Sequence, residues 1–231
     1  MIRSLTGTSL IEYPGKISSI IFISGCNLHC PFCHNPELVR PDLLDGEFKL
    51  THREVLDELI SREGFIEAVS ITGGEPLIYS GITSLIKSIK SETSLSVKMD
   101  TNGTQPQKLK DVIPHLDYIA MDLKSSPAKY TKATGEKAEF RDVRESISII
   151  MSLPAYEFRT TMVPGIVDRE DVMELLQEIG RIRRYVLQTF HSEKTLSSEF
   201  TGIPTYPKNY LEDTANTIRE QNLAEEVIIR Y

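Results

Sequence analysis

The chain has 231 residues, a formal net charge of −7 at pH 7 and a sequence pI near 5.4. That length suits a single domain over 1–231 with a sizeable core, and the acidic balance argues against a nucleic-acid backbone as partner. The longest uninterrupted apolar run, Ile20-Ile-Phe-Ile23, is far short of a membrane span, and Met1-Ile-Arg-Ser-Leu-Thr-Gly-Thr lacks the apolar stretch of a signal peptide. These features predict a cytoplasmic protein without a membrane partner.

No repeat, low-complexity tract or Gly/Ser linker divides the chain, which reads as short apolar strands alternating with amphipathic helices. The first expected strand, Ile17–Ser24, runs into Cys26, Cys30 and Cys33, the only three cysteines of the chain. Their C-x3-C-x2-C spacing in a chain without export signals suits a metal in a reducing compartment better than a disulfide framework. A [4Fe–4S] cluster normally takes four thiolates, so three would leave one iron open to a small molecule. Zinc, completed by His29 or His34, is the competing use of the same thiols.

Thr51-His-Arg-Glu54 is a capping box that opens a helix with Val55, Leu56, Leu59 and Ile60 facing inward. The next strand, Ala68–Ile71, is followed by a helix marked by Ile82, Leu85, Ile86 and Ile89. Strand Leu95–Met99 precedes a helix with Leu109, Val112 and Ile113, which Pro114 ends. Strand Tyr118–Met121 precedes one marked by Val143, Ile147, Ile150 and Met151. Strand Glu157–Val163 precedes one marked by Val172, Leu175, Leu176 and Ile179, and Tyr185–Phe190 is the sixth strand. Such alternation predicts parallel βαβ units and an α/β fold, a partial (β/α)6 barrel with its core at about 17–191. Ile228 and Ile229 suggest a last edge strand within the extension 192–231, which otherwise carries no usable motif.

In α/β barrels the active site forms at the carboxyl ends of the strands. Here those ends carry the cysteine loop, Thr72-Gly-Gly-Glu-Pro76, Asp100-Thr-Asn-Gly103, Asp122-Leu-Lys124, Pro164-Gly165 and His191. Taken singly, most of these are ordinary turns. Gly73-Gly74 permits positive φ and close backbone approach, Asn102-Gly103 is a turn dipeptide, and Asp122 and Lys124 could be solvated charges. Arg159 lies inside a buried strand, where an unpaired charge is costly, so a salt bridge to an interior glutamate would account for it equally well. The recurrence of such endings on all six strands is what turn chemistry does not account for.

The cysteine loop resembles the cluster motif of the radical S-adenosylmethionine (radical SAM) enzymes. In that family the open iron chelates the amino and carboxylate groups of SAM, and one electron cleaves the sulfonium to methionine and a hydrogen-abstracting 5′-deoxyadenosyl radical. The cofactor carries the hard chemistry and the protein supplies binding and orientation. The resemblance implies that Gly73, Gly74 and Glu75, in a Gly-Gly-Glu-Pro motif, receive the SAM ammonium, and that Phe32 shields the cluster and positions the adenine. From about Gly7 to His191 the chain is most similar to the glycyl-radical-enzyme activases. That likeness implies a monovalent cation held by Asp100, Thr101, Met121 and Asp122. It also implies SAM contacts from Asn102, Asp122, Lys124, Arg159 and His191, with Asp122 and Lys124 closest to the reacting centre. Several activases insert a domain with further cysteines; this chain has none beyond the three. An external electron donor, such as flavodoxin or ferredoxin, would then be required.

Three readings follow. The first is an anaerobic activating enzyme that installs a glycyl radical on a large partner, with anaerobic ribonucleoside-triphosphate reductase as the expected partner. The second is a radical SAM enzyme acting on a small molecule, similar to 7-carboxy-7-deazaguanine synthase. The third is a non-catalytic metal protein.

Overall fold

A computed structural model describes residues 1–40 and 49–231. These residues form two compact units. One comprises Met1–Asn27, Glu37–Thr101 and Gln107–Ala120; the other comprises Leu28–Pro36, Asn102–Pro106 and Met121–Tyr231.

The first unit opens with an element the sequence did not suggest. Strand β1 (Ile2–Tyr13) pairs antiparallel with β2 (Lys16–Ile23), Ile2 opposite Ile23 and Tyr13 opposite Lys16. Pro14 and Gly15 (φ +74°) make the reversal, a pairing suited to a tight turn. Only Ile2 and Tyr13 of β1 are buried, so this edge strand lacks the apolar alternation that would have announced it.

A short helix, α1 (Pro36–Val39), precedes α2 (His52–Ser61), whose capping box forms as expected. The Glu54 amide donates to Thr51 Oγ1 at 3.2 Å, and Glu54 Oε2 accepts from the Thr51 amide at 2.8 Å. Val55, Leu56 and Leu59 are buried; Ile60, expected inside, is 38% exposed because it lies near the end of the helix, on its outer side.

Parallel strand β3 (Ala68–Gly73) pairs Ile20 with Ser70 across β2, and is followed by α3 (Ile82–Glu92) with all four of its marked residues buried. Strand β4 (Ser96–Thr101) continues the parallel register, with Ser70 beside Lys98 and Ile71 beside Met99. Because side chains alternate along strands and align across them, Ser70, Thr72, Lys98 and Asp100 share one face. The other face is apolar: Ile21, Ile23, Val69, Ile71, Val97 and Met99 have no solvent exposure. Each such side chain contributes about 1.5–3 kcal/mol of burial. Helix α4 (Pro106–Val112) ends in a 3-10 turn at Ile113–His115. Strand β5 (Tyr118–Asp122) gives its first three residues to this unit and its last two to the other.

In the second unit come α5 (Tyr130–Ala133), α6 (Phe140–Met151) and β6 (Tyr156–Met162). They are followed by α7 (Arg169–Ile179), β7 (Ile182–Thr189), α8 (Lys208–Glu220) and β8 (Ala224–Arg230). Strands β6, β7 and β8 are parallel, with Arg159 beside Val186 and Val186 beside Ile228. The edge strand expected at Ile228 and Ile229 is present. The extension also carries α8, whose buried face of Leu211, Thr214, Ala215 and Ile218 is too weakly apolar to stand out in sequence. Among the described residues no helix is long and apolar enough to cross a membrane.

Thr51→Ala removes the side-chain half of the capping box. It should lower unfolding free energy by about 1 kcal/mol in urea titrations, with Glu54→Gln costing less because the amide can still accept.

Candidate functional site

In the first unit the end of β3 is held against the start of the cysteine loop. The Gly74 amide donates to Ile23 O at 2.9 Å and the Glu75 amide to Gly25 O at 2.9 Å. A Cβ at Gly73 (φ +123°) would lie 2.2 Å from Ile23 O; one at Gly74 would lie 2.0 Å from Gly25 O and 3.2 Å from the Cys26 Cβ. No side chain fits at either position, so both glycines are required by the approach of two backbones. The Gly-Gly-Glu turn therefore sits directly beside Cys26.

Glu75 is fully buried. Its Oε1 accepts from the Leu77 amide at 3.0 Å and from Thr101 Oγ1 at 2.9 Å, which ties the end of β3 to the end of β4. Asp100 accepts from Thr72 Oγ1 at 3.1 Å and is paired through Oδ1 with the ammonium of Lys98, a residue with no solvent exposure. Sequence reasoning passed over Lys98, although a Lys-x-Asp pair in a buried strand puts both charges on one face.

The second unit holds Cys30, Phe32 and Cys33. The Cys33 amide donates to Cys30 O at 3.0 Å, closing a turn. The His29 amide donates to Thr134 O at 3.1 Å and the Ser197 amide to Pro31 O at 2.9 Å, so the loop is fastened on both sides. Gly135 passes so close that a Cβ there would lie 2.3 Å from His29 O. Cys30 and Phe32 are buried, Cys33 and Cys26 partly exposed, and none of the three cysteines is in a disulfide. The ring of His34 faces the Asn35 side chain at 3.2 Å. Among the described residues no three His, Cys, Asp or Glu side chains converge where one ion would be held. A four-iron cluster asks for something different, one thiolate on each of three separate irons, and three reduced thiols on a loop anchored by its backbone fit that donor set.

Asn102 is buried and accepts from the Thr104 amide at 3.0 Å and from Thr104 Oγ1 at 2.7 Å, an Asx turn. Gly103 (φ +76°) packs on Met121, where a Cβ would meet Met121 Cε at 1.9 Å. Asp122 receives Arg159 Nε on Oδ1 at 2.7 Å and Lys124 Nζ on Oδ2 at 3.1 Å. The partner of Arg159 is thus chiefly Asp122; Glu157, the interior glutamate, lies 4.0 Å from its Nη1 and takes Arg230 Nη2 at 3.2 Å. Burial alone would raise the Asp122 carboxyl, but the Arg159 guanidinium and then the Lys124 ammonium hold it well below the ordinary carboxylate range. Burial would lower Lys124, yet Asp122, followed by Cys30 and Tyr130, keeps it charged far into the alkaline range. Cys30 therefore lies within electrostatic reach of Lys124. Lys124 and Arg159 thus meet on Asp122, and Arg230 on Glu157.

Tyr130 is a second residue that sequence reasoning missed. Its phenol is fully buried and pushed upward by that burial, with Lys124, Cys30 and Asp122 as its electrostatic neighbours. No motif marks it, since α5 is only four residues long. His191, two residues beyond β7, is exposed.

A family profile described as the Radical SAM superfamily matches residues 20–179. A protein of Methanocaldococcus jannaschii, named as a candidate glycyl-radical enzyme activating enzyme, is 28% identical over all of this chain and 95% of its own length. A pyruvate formate-lyase-activating enzyme of Clostridium pasteurianum is 27% identical over 79% of this chain and 77% of its own. A 7-carboxy-7-deazaguanine synthase of Hyperthermus butylicus is 28% identical over 74% of this chain and 78% of its own. Among solved structures, Streptococcus suis SuiB bound to precursor peptide SuiA superposes with a TM-score of 0.70 at 16% identity. It covers 92% of this chain and 48% of that one, a likeness of fold alone. The fold is of the α/β class expected from the sequence, with parallel strand pairing in each unit.

Two outcomes follow from this geometry. Gly74→Ala should cut iron incorporation on anaerobic reconstitution to below about half of wild type, measured as iron per chain, because the new methyl group displaces the loop that carries Cys26. Asp122 has a depressed folded pKa, so its contribution is complete above the ordinary carboxylate range and is lost as pH falls toward that lowered value. Asp122→Asn should therefore cost about 1–3 kcal/mol at neutral pH, and the gap from wild type in urea titrations should narrow below about pH 4.

Proposed function

This chain belongs to the radical SAM superfamily, and we propose that within it the protein is an activase that generates a glycyl radical on a large partner enzyme. The observation that carries this reading is the match to the M. jannaschii protein named as a candidate glycyl-radical enzyme activating enzyme, across all of this chain and 95% of that one. The relation to the C. pasteurianum activating enzyme supports the same assignment. Cys26, Cys30 and Cys33 would hold a [4Fe–4S] cluster, which would bind SAM and supply the single electron for its cleavage.

The rest belongs to this chain's own groups. The backbone of Gly73 and Gly74, set against Cys26, lets a ligand approach without a side chain in the way. Glu75, held by Leu77 and Thr101, presents a fixed negative charge toward the SAM ammonium. Arg159 and Lys124, both held on Asp122, serve the SAM carboxylate. Phe32 excludes water from the cluster, Asn102 and His191 serve the nucleoside part, and Asp122 and Lys124 stand nearest the reacting hydrogen. The partner we assign is an anaerobic ribonucleoside-triphosphate reductase. With three cysteines in all, the chain carries one cluster by cysteine ligation, so the electron comes from a separate cytoplasmic flavodoxin or ferredoxin.

The relation to the H. butylicus synthase favours a second reading, a radical SAM enzyme of similar size whose substrate is a small molecule. Electron paramagnetic resonance separates the two. Reduced protein mixed with SAM and the candidate reductase should give a glycyl doublet that needs both SAM and reductant. No radical on any glycyl-radical partner, together with fast turnover of a deazapurine precursor, would move the assignment to the second reading. Arg159→Ala should weaken SAM binding by about tenfold or more while iron loading stays near wild type. Equal affinity in calorimetry would remove Arg159 from the SAM site.

A further inference from the structure

The activase resemblance expects a monovalent cation on Asp100, Thr101, Met121 and Asp122, and the residues do not fit a free ion. In the first unit Lys98, without solvent exposure, places its ammonium on Asp100 Oδ1. Asp100 Oδ2 accepts from Thr72 Oγ1 at 3.1 Å, and Thr101 Oγ1 donates to Glu75 Oε1 at 2.9 Å. In the second unit Asp122 is matched by Arg159 and Lys124 at 2.7 and 3.1 Å. Each carboxylate that would bind the ion already has its positive charge. An added alkali-metal ion beside a buried ammonium would meet Coulomb repulsion that the interior screens only weakly. A lysine buried this completely is itself costly unless a carboxylate meets it, so Lys98 and Asp100 are bound to one another by the same physics.

We propose that the Lys98 ammonium is this enzyme's built-in monovalent cation, fixed on Asp100 in place of sodium or potassium, so that SAM binding does not depend on either ion. Lys98 acts through Asp100 and is a positioning residue. It neutralises the Asp100 carboxylate at the end of β4, next to the Thr101–Glu75 hydrogen bond, with a point charge carried on the strand itself. A tethered cation keeps its place at any salt composition, where a free ion must be captured from solution. This inference rests on the radical SAM reading for its SAM arm only.

The test compares wild type, Lys98→Met and Lys98→Arg at constant ionic strength in choline, sodium or potassium chloride. Two readouts are used: the melting temperature of the cluster-free protein, and SAM affinity of the reconstituted protein by calorimetry. For wild type both should be the same in all three salts, within about twofold for affinity. Lys98→Met in choline should lose SAM affinity about tenfold or more and melt lower. Potassium or sodium should restore part of both losses, a rescue that a purely structural role for the lysine would not give. Lys98→Arg, which keeps the charge, should stay indifferent to the salt. Wild-type SAM affinity that rises tenfold or more with potassium or sodium over choline would overturn the proposal, and that arm needs no variant to fold. A folded Lys98→Met that loses affinity equally in all three salts would overturn it as well. The melting arm is independent of any glycyl-radical partner, so failure of the activase reading and failure of this proposal are distinguishable.

Discussion

A charge taken out of water has to meet its opposite, and the strand ends of this protein are organised by that demand. Lys98 and Asp100 on β4 satisfy one another in the first unit, and Thr72 adds a hydrogen bond to the same carboxylate. In the second unit Asp122 at the end of β5 collects Arg159 and Lys124, while Glu157 collects Arg230. Breaking a buried pair such as Lys98–Asp100 by removing one partner typically costs about 3–5 kcal/mol, since the other is left uncompensated; Asp122, Lys124 and Arg230 are partly exposed. The pairs therefore fix which side chains stand at the carboxyl ends of the strands, where an α/β barrel does its chemistry. Glu75 is a fully buried carboxylate that accepts from the Leu77 amide and from Thr101 Oγ1.

Backbone approach is the second constraint. Gly73 and Gly74 cannot carry a side chain because Ile23 and Gly25 carbonyls occupy the space, and Gly135 is held to the same rule by His29. The cysteine loop is thus anchored through main chain near Cys26 in the first unit and near His29 in the second. The glycines in the sequence are read correctly only once the carbonyls that face them are known.

Much of this was legible in the sequence because its signals are local. The Thr51–Glu54 capping box and the four apolar residues of α3 each fall within one turn or one helix, and each appears as expected; the C-x3-C-x2-C spacing is likewise local in the chain. The strand-end motifs were legible as a recurrence rather than one at a time. What escaped depends on distance in the chain or on weak patterning. Strand β1 is an edge with two buried residues in twelve, so its period does not show. Helix α8 buries Thr214 and Ala215 beside Leu211 and Ile218, a face that reads as polar. Lys98 was visible as Lys-x-Asp, but its significance lies in complete burial, which composition does not reveal. The partner of Arg159 is a residue 37 positions away, whereas sequence reasoning looked for a glutamate.

The central claim is that three cysteines leave one iron of a [4Fe–4S] cluster open for the amino and carboxylate groups of SAM. Electron–nuclear double resonance on the reduced, reconstituted protein tests it directly, using SAM labelled with nitrogen-15 at the amino group and oxygen-17 at the carboxylate. The account predicts hyperfine coupling from both labels to the cluster spin, lost in Cys30→Ala together with the cluster itself. A cluster that forms fully in wild type, binds SAM and shows coupling from neither label would contradict it.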